Sequence, residues 1–259
     1  MASTPAQQRR CRHLLAHLAT AGPSAPLGAV AAADYTVQIG PNKFKQGLEK
    51  REKQIGMWSG LGSSVAADRE PSPSPSPHPT GHRLTLLLAV LADSGYDWVL
   101  LDTEHSPTGP LDVFDQLLAL DRSEHTTPVV RPPWNDPVQF KKLLDIGART
   151  ILVPYVSTVE EAQKAVSAVR YPTGGMRGVA GTIRASRYGR IKDYHTTASD
   201  DICLMVQIET QEGLDNLDEI AAVDGVDGVF IGPADLSAAL GRRHDRSLRT
   251  LALRLGDRC

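Results

Sequence analysis

Thr150–Arg170 reads TILVPYVSTVEEAQKAVSAVR, and the fold follows from how that stretch divides. Its first part, Thr150–Val156, is apolar almost throughout, without the polar alternation that marks a strand with one wet face. A strand of that kind is buried on both sides, which requires a parallel sheet with helical cover. Thr158 and Glu161 then supply the Thr-x-x-Glu signature of a helix start. Thr158–Arg170 carries on at amphipathic helical spacing. One buried strand followed at once by one helix is a βα unit.

The unit recurs in both directions along the chain. Downstream, strand Ile202–Ile208 precedes helix Gln211–Ala222, and strand Gly228–Ile231 precedes helix Ala234–Leu240. Upstream, Thr127–Arg131 precedes Pro137–Ile146, a helix that Gly147 stops. Trp98–Asp102 (WVLLD) precedes helix Leu111–Leu120. Gln54–Leu61 is the first strand, with a short polar helix Asn42–Arg51 before it and helix-compatible Leu84–Ala92 after it. Gly174–Tyr194 is a long Gly- and Arg-rich connection. About six strands, each with its helix, predict an α/β fold of the (β/α)8 TIM-barrel type; a doubly wound open sheet is the second choice. The polar residues decide between them. Asp102, Glu104, His105, Arg131, Gln207, Glu209 and Asp235 all follow the C-terminal ends of different strands, where a barrel assembles its active site.

Three segments stand outside this pattern. Residues 1–41 form an N-terminal extension in which Asp34 is the first acid, while Arg9, Arg10, Arg12, His13 and His17 lie among leucines and alanines. That composition resembles a mitochondrial transit peptide, with a disordered extension as the alternative. Residues 68–82 include PSPSPSPHPTGH, an extended, solvated insertion that divides the first βα unit. Residues 242–259 (RRHDRSLRTLALRLGDRC) show no strand pattern. The barrel domain therefore runs over residues 42–241.

Bulk properties exclude several functions. A net charge of −2 over 259 residues gives no reason to expect nucleic acid or an anionic membrane as partner. No apolar run approaches the roughly 18 residues of a membrane span. Cys11, Cys203 and Cys259 share no metal-ligand spacing, and an odd, scattered set argues against a disulfide framework. Cys203, in ICLMVQI, reads as core filler. A reducing compartment follows, the cytoplasm or, if the transit segment is real, the mitochondrial matrix.

The strand ends suggest a chemistry. Glu209 and Asp235, on neighbouring strands, can bind a hard divalent cation with water and substrate oxygens filling the other positions. The plainer reading makes Glu209 a solvent-facing carboxylate and Asp235 a helix N-terminal acid. Gly232-Pro233-Ala234 precedes Asp235 and offers backbone N–H groups to a carboxylate, or serves only a tight βα turn. In Asp102-Thr-Glu-His105 a carboxylate beside a histidine could set up a general base, or the histidine is an ordinary loop residue. Arg131, in VVRPPW, would stabilise a developing enolate, or pair with a surface acid. Trp58 is a candidate pocket residue, with core packing as its commoner use.

On these segments the chain resembles the HpcH/HpaI aldolase family, the class II 4-hydroxy-2-oxoheptanedioate and 2-keto-3-deoxy-sugar-acid aldolases. NKFKQGL, IGMWSGLGS, DWVLLDTEHSP, PVVRPPWNDPVQFKKLLDIGA, ILVPYVSTVEEAQKAV, RYPTGGMRGV, RASRYGRIKDY, VQIET and GVDGVFIGPADLSAALG occur in the family's order over Asn42–Gly241. The resemblance implies a (β/α)8 barrel that uses Mg²⁺ or Mn²⁺, in some members Co²⁺, and assembles as a trimer of dimers. It implies Glu209 and Asp235 as metal ligands, Arg131 at the pyruvate keto or enolate oxygen, and His105 with Asp102 as the base dyad. The backbone at Ala234 and Asp235 would hold the substrate carboxylate, with Gln207 as a polar residue of the substrate site. The implied reaction cleaves a 4-hydroxy-2-oxo acid to pyruvate and an aldehyde. The family has two further strands after the position of Gly241, so the barrel is expected to be truncated here after about six. That, with the insertion, points to a misread gene whose transcript would differ from this frame. Two other functions compete: an impaired homologue acting only through interaction, and a carbon–carbon lyase acting on a thioester.

Overall fold

The protein is described by a computed structural model covering residues 40–59, 88 and 91–241. The extension before residue 40, the Pro/Ser insertion, most of the expected helix Leu84–Ala92 and the tail 242–259 lie outside the described residues.

Six strands form one parallel sheet: β1 (Gly56–Ser59), β2 (Trp98–Asp102), β3 (Thr127–Arg131), β4 (Thr150–Val153), β5 (Cys203–Ile208) and β6 (Gly228–Ile231). Their order across the sheet is their order in the chain, and every pairing is parallel. A doubly wound sheet reverses its strand order at a switch point; this one never does, so the barrel-type succession holds. Among the described residues β1 and β6 are its edges.

The helices are α1 (Lys43–Glu49), α2 (Pro110–Leu120), α3 (Pro137–Asp145), α4 (Val159–Val169), α5 (Tyr194–Asp201), α6 (Gln211–Asp215), α7 (Leu217–Ala221) and α8 (Pro233–Ala239). α4 begins in the expected capping box: Thr158 Oγ1 accepts the Glu161 N–H, and Glu161 reaches back to the Thr158 N–H. α3 stops at Gly147, whose φ of 104° suits a residue without Cβ. The single helix expected over Gln211–Ala222 is two, broken at Asn216, whose side-chain amide donates to the Ser157 carbonyl at 2.9 Å. α5 starts at Tyr194, where the expected connection ends, and fills the interval before β5 for which the sequence suggested no element. Its sequence, YHTTASDD, has no apolar stripe, and only Ala198 is buried.

Alternation along each strand sorts the side chains into two layers. Val99, Leu101, Val130, Ile151, Val153, Leu204, Val206 and Ile208 pack with the helices in the larger core. Leu100, Val129, Leu152, Cys203 and Met205 face the other way, joined by Trp98 and Phe230. Phe44 of α1 packs into this inner layer, its ring edge-on to Trp98 at 6.1 Å. α1 is tied to the N-terminal ends of β4 and β5, where Asn42 bonds the Arg149 carbonyl and Thr150 and Lys45 the Ile202 carbonyl. That end of the inner layer is thereby plugged. Cys203 is fully buried in it as a free thiol.

Candidate active site

The inner-facing register continues past the apolar layer to the C-terminal strand ends, and it delivers Trp58, Asp102, Arg131, Gln207, Glu209 and Gly232 to one face. Asp102 and Arg131 are register partners on β2 and β3. The Arg131 guanidinium donates from Nε to Asp102 Oδ1 at 2.9 Å and from Nη2 to Oδ2 at 2.5 Å. Both residues are buried, Asp102 at 2% and Arg131 at 4% exposure. The Trp58 indole N–H also donates to Asp102, at 3.2 Å, and its ring lies over the Arg131 guanidinium at 4.5 Å. Trp58 is therefore partly exposed and packed on the Asp102–Arg131 pair, not enclosed in the core. Burial alone would raise the Asp102 carboxyl, but Arg131 and the Glu104 N–H hold it below the usual carboxylate range.

The expected contact between the side chains of His105 and Asp102 is not the arrangement found. Asp102 is taken by Arg131 and Trp58, and His105 gives it only a backbone N–H, at 3.3 Å. The imidazole is 61% exposed, and the acid opposite it is Glu104, with Oε1 3.9 Å from Nε2. Glu104, which the sequence placed at a strand end but to which it gave no role of its own, belongs to this cluster. Its side chain is mostly buried, and its Oε2 is 2.9 Å from Arg131 Nη1, an ion pair without hydrogen-bond alignment. Burial raises its carboxyl, Arg131 opposes the rise, and Asp102 and Asp235 add to it.

Glu209, at 1% exposure, is held from both sides. Oε1 accepts the Tyr155 N–H at 2.9 Å and Oε2 accepts the Gln207 amide at 2.7 Å. Its carboxyl is pushed up to about 7, first by burial, then by Glu104 and Asp235, against the pull of those two hydrogen bonds. Asp235 sits in the first turn of α8, with the Tyr155 hydroxyl 3.5 Å from its Oδ1. Tyr155, in an apolar run, gave no sequence signal for the site. Gly232 has a steric reason: a Cβ there would lie 2.6 Å from Glu209 Oε2 and 2.8 Å from Gln207 Nε2. Ala234 and Asp235 occupy the second and third helical positions, whose N–H groups have no partner within the helix.

Three carboxylates, Glu104, Glu209 and Asp235, thus influence one another across a site in which Arg131 is already paired with Asp102. Glu104 Oε2 and Gln207 Oε1 are buried without a hydrogen-bond partner. Surplus negative charge and orphaned acceptors suit a hard cation. Among the described residues no three Asp, Glu, His or Cys side chains converge into a ready cage. One or two carboxylates completed by water and substrate oxygens is the ordinary manner of Mg²⁺.

A family model described as HpcH/HpaI aldolase/citrate lyase matches residues 83–252. The hydroxypyruvate/pyruvate aldolase of Sagittula stellata is 49% identical over 200 residues, 77% of this chain and 70% of that protein. The 4-hydroxy-2-oxo-heptane-1,7-dioate aldolase of Klebsiella pneumoniae is 49% identical over 201 residues, 77% and 68% of the two chains. Among solved structures, an HpcH/HpaI aldolase/citrate lyase family protein from Burkholderia cenocepacia superposes with a TM-score of 0.70 at 35% identity, over 84% of this chain and 81% of that one.

Proposed function

The chain belongs to the HpcH/HpaI aldolase/citrate lyase family, and from that membership we infer that it is an aldehyde-lyase cleaving 4-hydroxy-2-oxo acids to pyruvate and an aldehyde. The observation that carries the metal-dependent form of this reading is the charge balance at the strand ends. Glu104 and Asp235 both act on Glu209 there, and the one nearby guanidinium is shared between Asp102 and Glu104, which leaves negative charge in excess. The named relatives are aldolases, which favours this chemistry over a thioester lyase.

Glu209 and Asp235 would hold a divalent cation, with Mg²⁺ or Mn²⁺ the first candidates and Co²⁺ a third. The ion supplies Lewis acidity for the carboxylate and keto oxygens of a 2-oxo acid. The residues do the rest. Arg131, fixed by two bonds to Asp102 and covered by Trp58, presents its remaining N–H groups where enolate charge develops. The first-turn N–H groups of Ala234 and Asp235, opened by Gly232, take the substrate carboxylate, and Gln207, through its unpartnered acceptor Oε1, would hold a donor such as a bound water. His105 accepts the proton of the 4-hydroxyl. Glu104 favours the imidazolium that results, the part the sequence suggested for Asp102.

Pyruvate release from a panel of 4-hydroxy-2-oxo acids tests the reading, with Mg²⁺ or Mn²⁺ added and again with EDTA. Metal-dependent turnover that disappears in Glu209→Ala supports it; a folded chain with no turnover on any substrate overturns it. Assembly as a trimer of dimers is proposed on the family resemblance, and sedimentation velocity checks it. No helix among the described residues is long and apolar enough to cross a membrane. The buried free thiol of Cys203 supports a reducing compartment, cytoplasm or mitochondrial matrix, which fractionation of a tagged chain would resolve.

A further inference from the structure

Tyr155 has features that enolate formation does not use. Its φ is 54°, in the left-handed region that aromatic residues rarely enter. That turn follows Pro154 at the end of β4. It aims the backbone N–H at Glu209 while leaving the phenol beside Asp235. The ring stacks on Trp134 with centroids 5.7 Å apart and planes 31° from parallel. Trp134, in the loop between β3 and α3, is 55% exposed. Two aromatic faces are therefore held together at the rim of the carboxylate cluster, one on strained backbone and one open to solvent.

The geometry assigns a sector of the site to this pair. The groups that would take the pyruvyl half, Arg131, Gln207 and Gly232 to Asp235, come from β3, β5 and β6. β4 lies between β3 and β5, and Tyr155 and Trp134 wall that interval. We propose that Trp134 and Tyr155 form the surface against which the carbon chain of the acceptor aldehyde lies, so that the protein prefers aldehydes with an apolar body to small polar ones. The proposal rests on the aldolase reading above. In condensation, C3 of the pyruvate enolate bonds to the aldehyde carbon, and the aldehyde oxygen takes a proton to become the 4-hydroxyl. The pair performs no step of this. It offers apolar contact area on side chains already fixed in place.

The test uses the full chain and two acceptors, hexanal and glycolaldehyde, each condensed with pyruvate. Trp134→Ala and Tyr155→Ala should lower the ratio of kcat/KM for hexanal over glycolaldehyde about tenfold or more, and Trp134→Phe and Tyr155→Phe should restore most of it. A readout without turnover accompanies it: hexan-1-ol, which cannot react, should show saturation-transfer NMR signals from aromatic protons that fade in Trp134→Ala. An unchanged ratio in both alanine variants overturns the proposal. So does a Trp134→Ala protein that sediments differently while its ratio is unmoved, since Trp134 would then serve a contact between copies. Exchange of the pyruvate C3 protons into D₂O by the wild type needs no aldehyde. If exchange is absent, the aldolase reading itself falls; if exchange occurs and the ratio does not move, only the aromatic wall falls.

Discussion

Replacing Glu209 by Gln should make the metal-free protein more stable in alkaline buffer while removing its response to metal. The carboxyl ionises at about 7 in the folded chain against an ordinary value of 4.5. Between those values the folded state binds more protons than the unfolded state, so stability falls as pH rises through the window. The gap of about 2.5, at about 1.4 kcal/mol for each pH unit, makes the full cost about 3–4 kcal/mol above pH 7. Gln escapes that cost because it does not ionise. Its carbonyl can still accept the Tyr155 N–H, now at 2.9 Å from Glu209. Its amide would meet the Gln207 amide, but a flip of Gln207 turns the unpartnered Oε1 toward the new donor. No hydrogen bond need be lost. Scanning calorimetry in EDTA should therefore show the wild-type Tm falling from about pH 4.5 through about pH 7 and levelling off above it, while the variant does not follow. At the upper end the variant should melt higher by up to about 6–16 °C, at about 2–4 °C per kcal/mol for a domain of this size. Excess Mn²⁺ should raise the wild-type Tm and leave the variant where it is. A variant no more stable than wild type at high pH in EDTA would refute the burial argument. Equal stabilisation of both proteins by Mn²⁺ would refute Glu209 as a ligand.

Asp102→Asn removes the buried partner of Arg131 and should cost about 3 kcal/mol in urea denaturation at neutral pH, the low end for a broken buried pair because Glu104 stays 2.9 Å from the guanidinium. Since the Asp102 carboxyl is held below its ordinary 3.8, the stability it contributes is complete above that pH and is lost as pH falls through the lowered value; the variant should lack this acid-side loss. Gly232→Ala places a Cβ against the Glu209 carboxylate, its Cβ and the Gln207 amide, so the hydrogen-bonded Glu209 side chain has to shift. It should weaken Mn²⁺ binding in calorimetry about tenfold while lowering stability by no more than about 1–3 kcal/mol; unaltered affinity would remove Gly232 from the site. Thr158→Ala loses the Glu161 N–H acceptor at the head of α4 and should cost about 1 kcal/mol by urea melt, with pyruvate release per folded molecule unaffected.

What the sequence disclosed and what it withheld divide along one line, between periodicity and the turning of individual loops. β2, β3 and β6 begin and end where the sequence sets them, although only β2 and β3 reach a buried interior and β6, an edge among the described residues, is half-buried along its length. β4 stops short of its expected end. Apolarity carries on to Val156, but Pro154 has no N–H for the ladder. Tyr155 turns its own N–H out to Glu209, and the strand stops at Val153. The same turn makes Tyr155 part of the site, and nothing in VPYV distinguishes a rim tyrosine from a core one. In Asp102-Thr103-Glu104-His105 the sequence identifies an acidic loop holding a histidine, yet two acids lie within three residues of it. Strand register settles which acid does what: Asp102 is still in β2 and opposite Arg131, so its carboxylate is spent on the guanidinium. Glu104, beyond the strand, is left to face His105, and Asp102 contributes by accepting the backbone N–H groups of both residues. The dyad expected from the motif is thus divided between a residue that fixes the arginine and a residue that faces the histidine. Only a parallel pairing that sets Asp102 level with Arg131 could reveal that division.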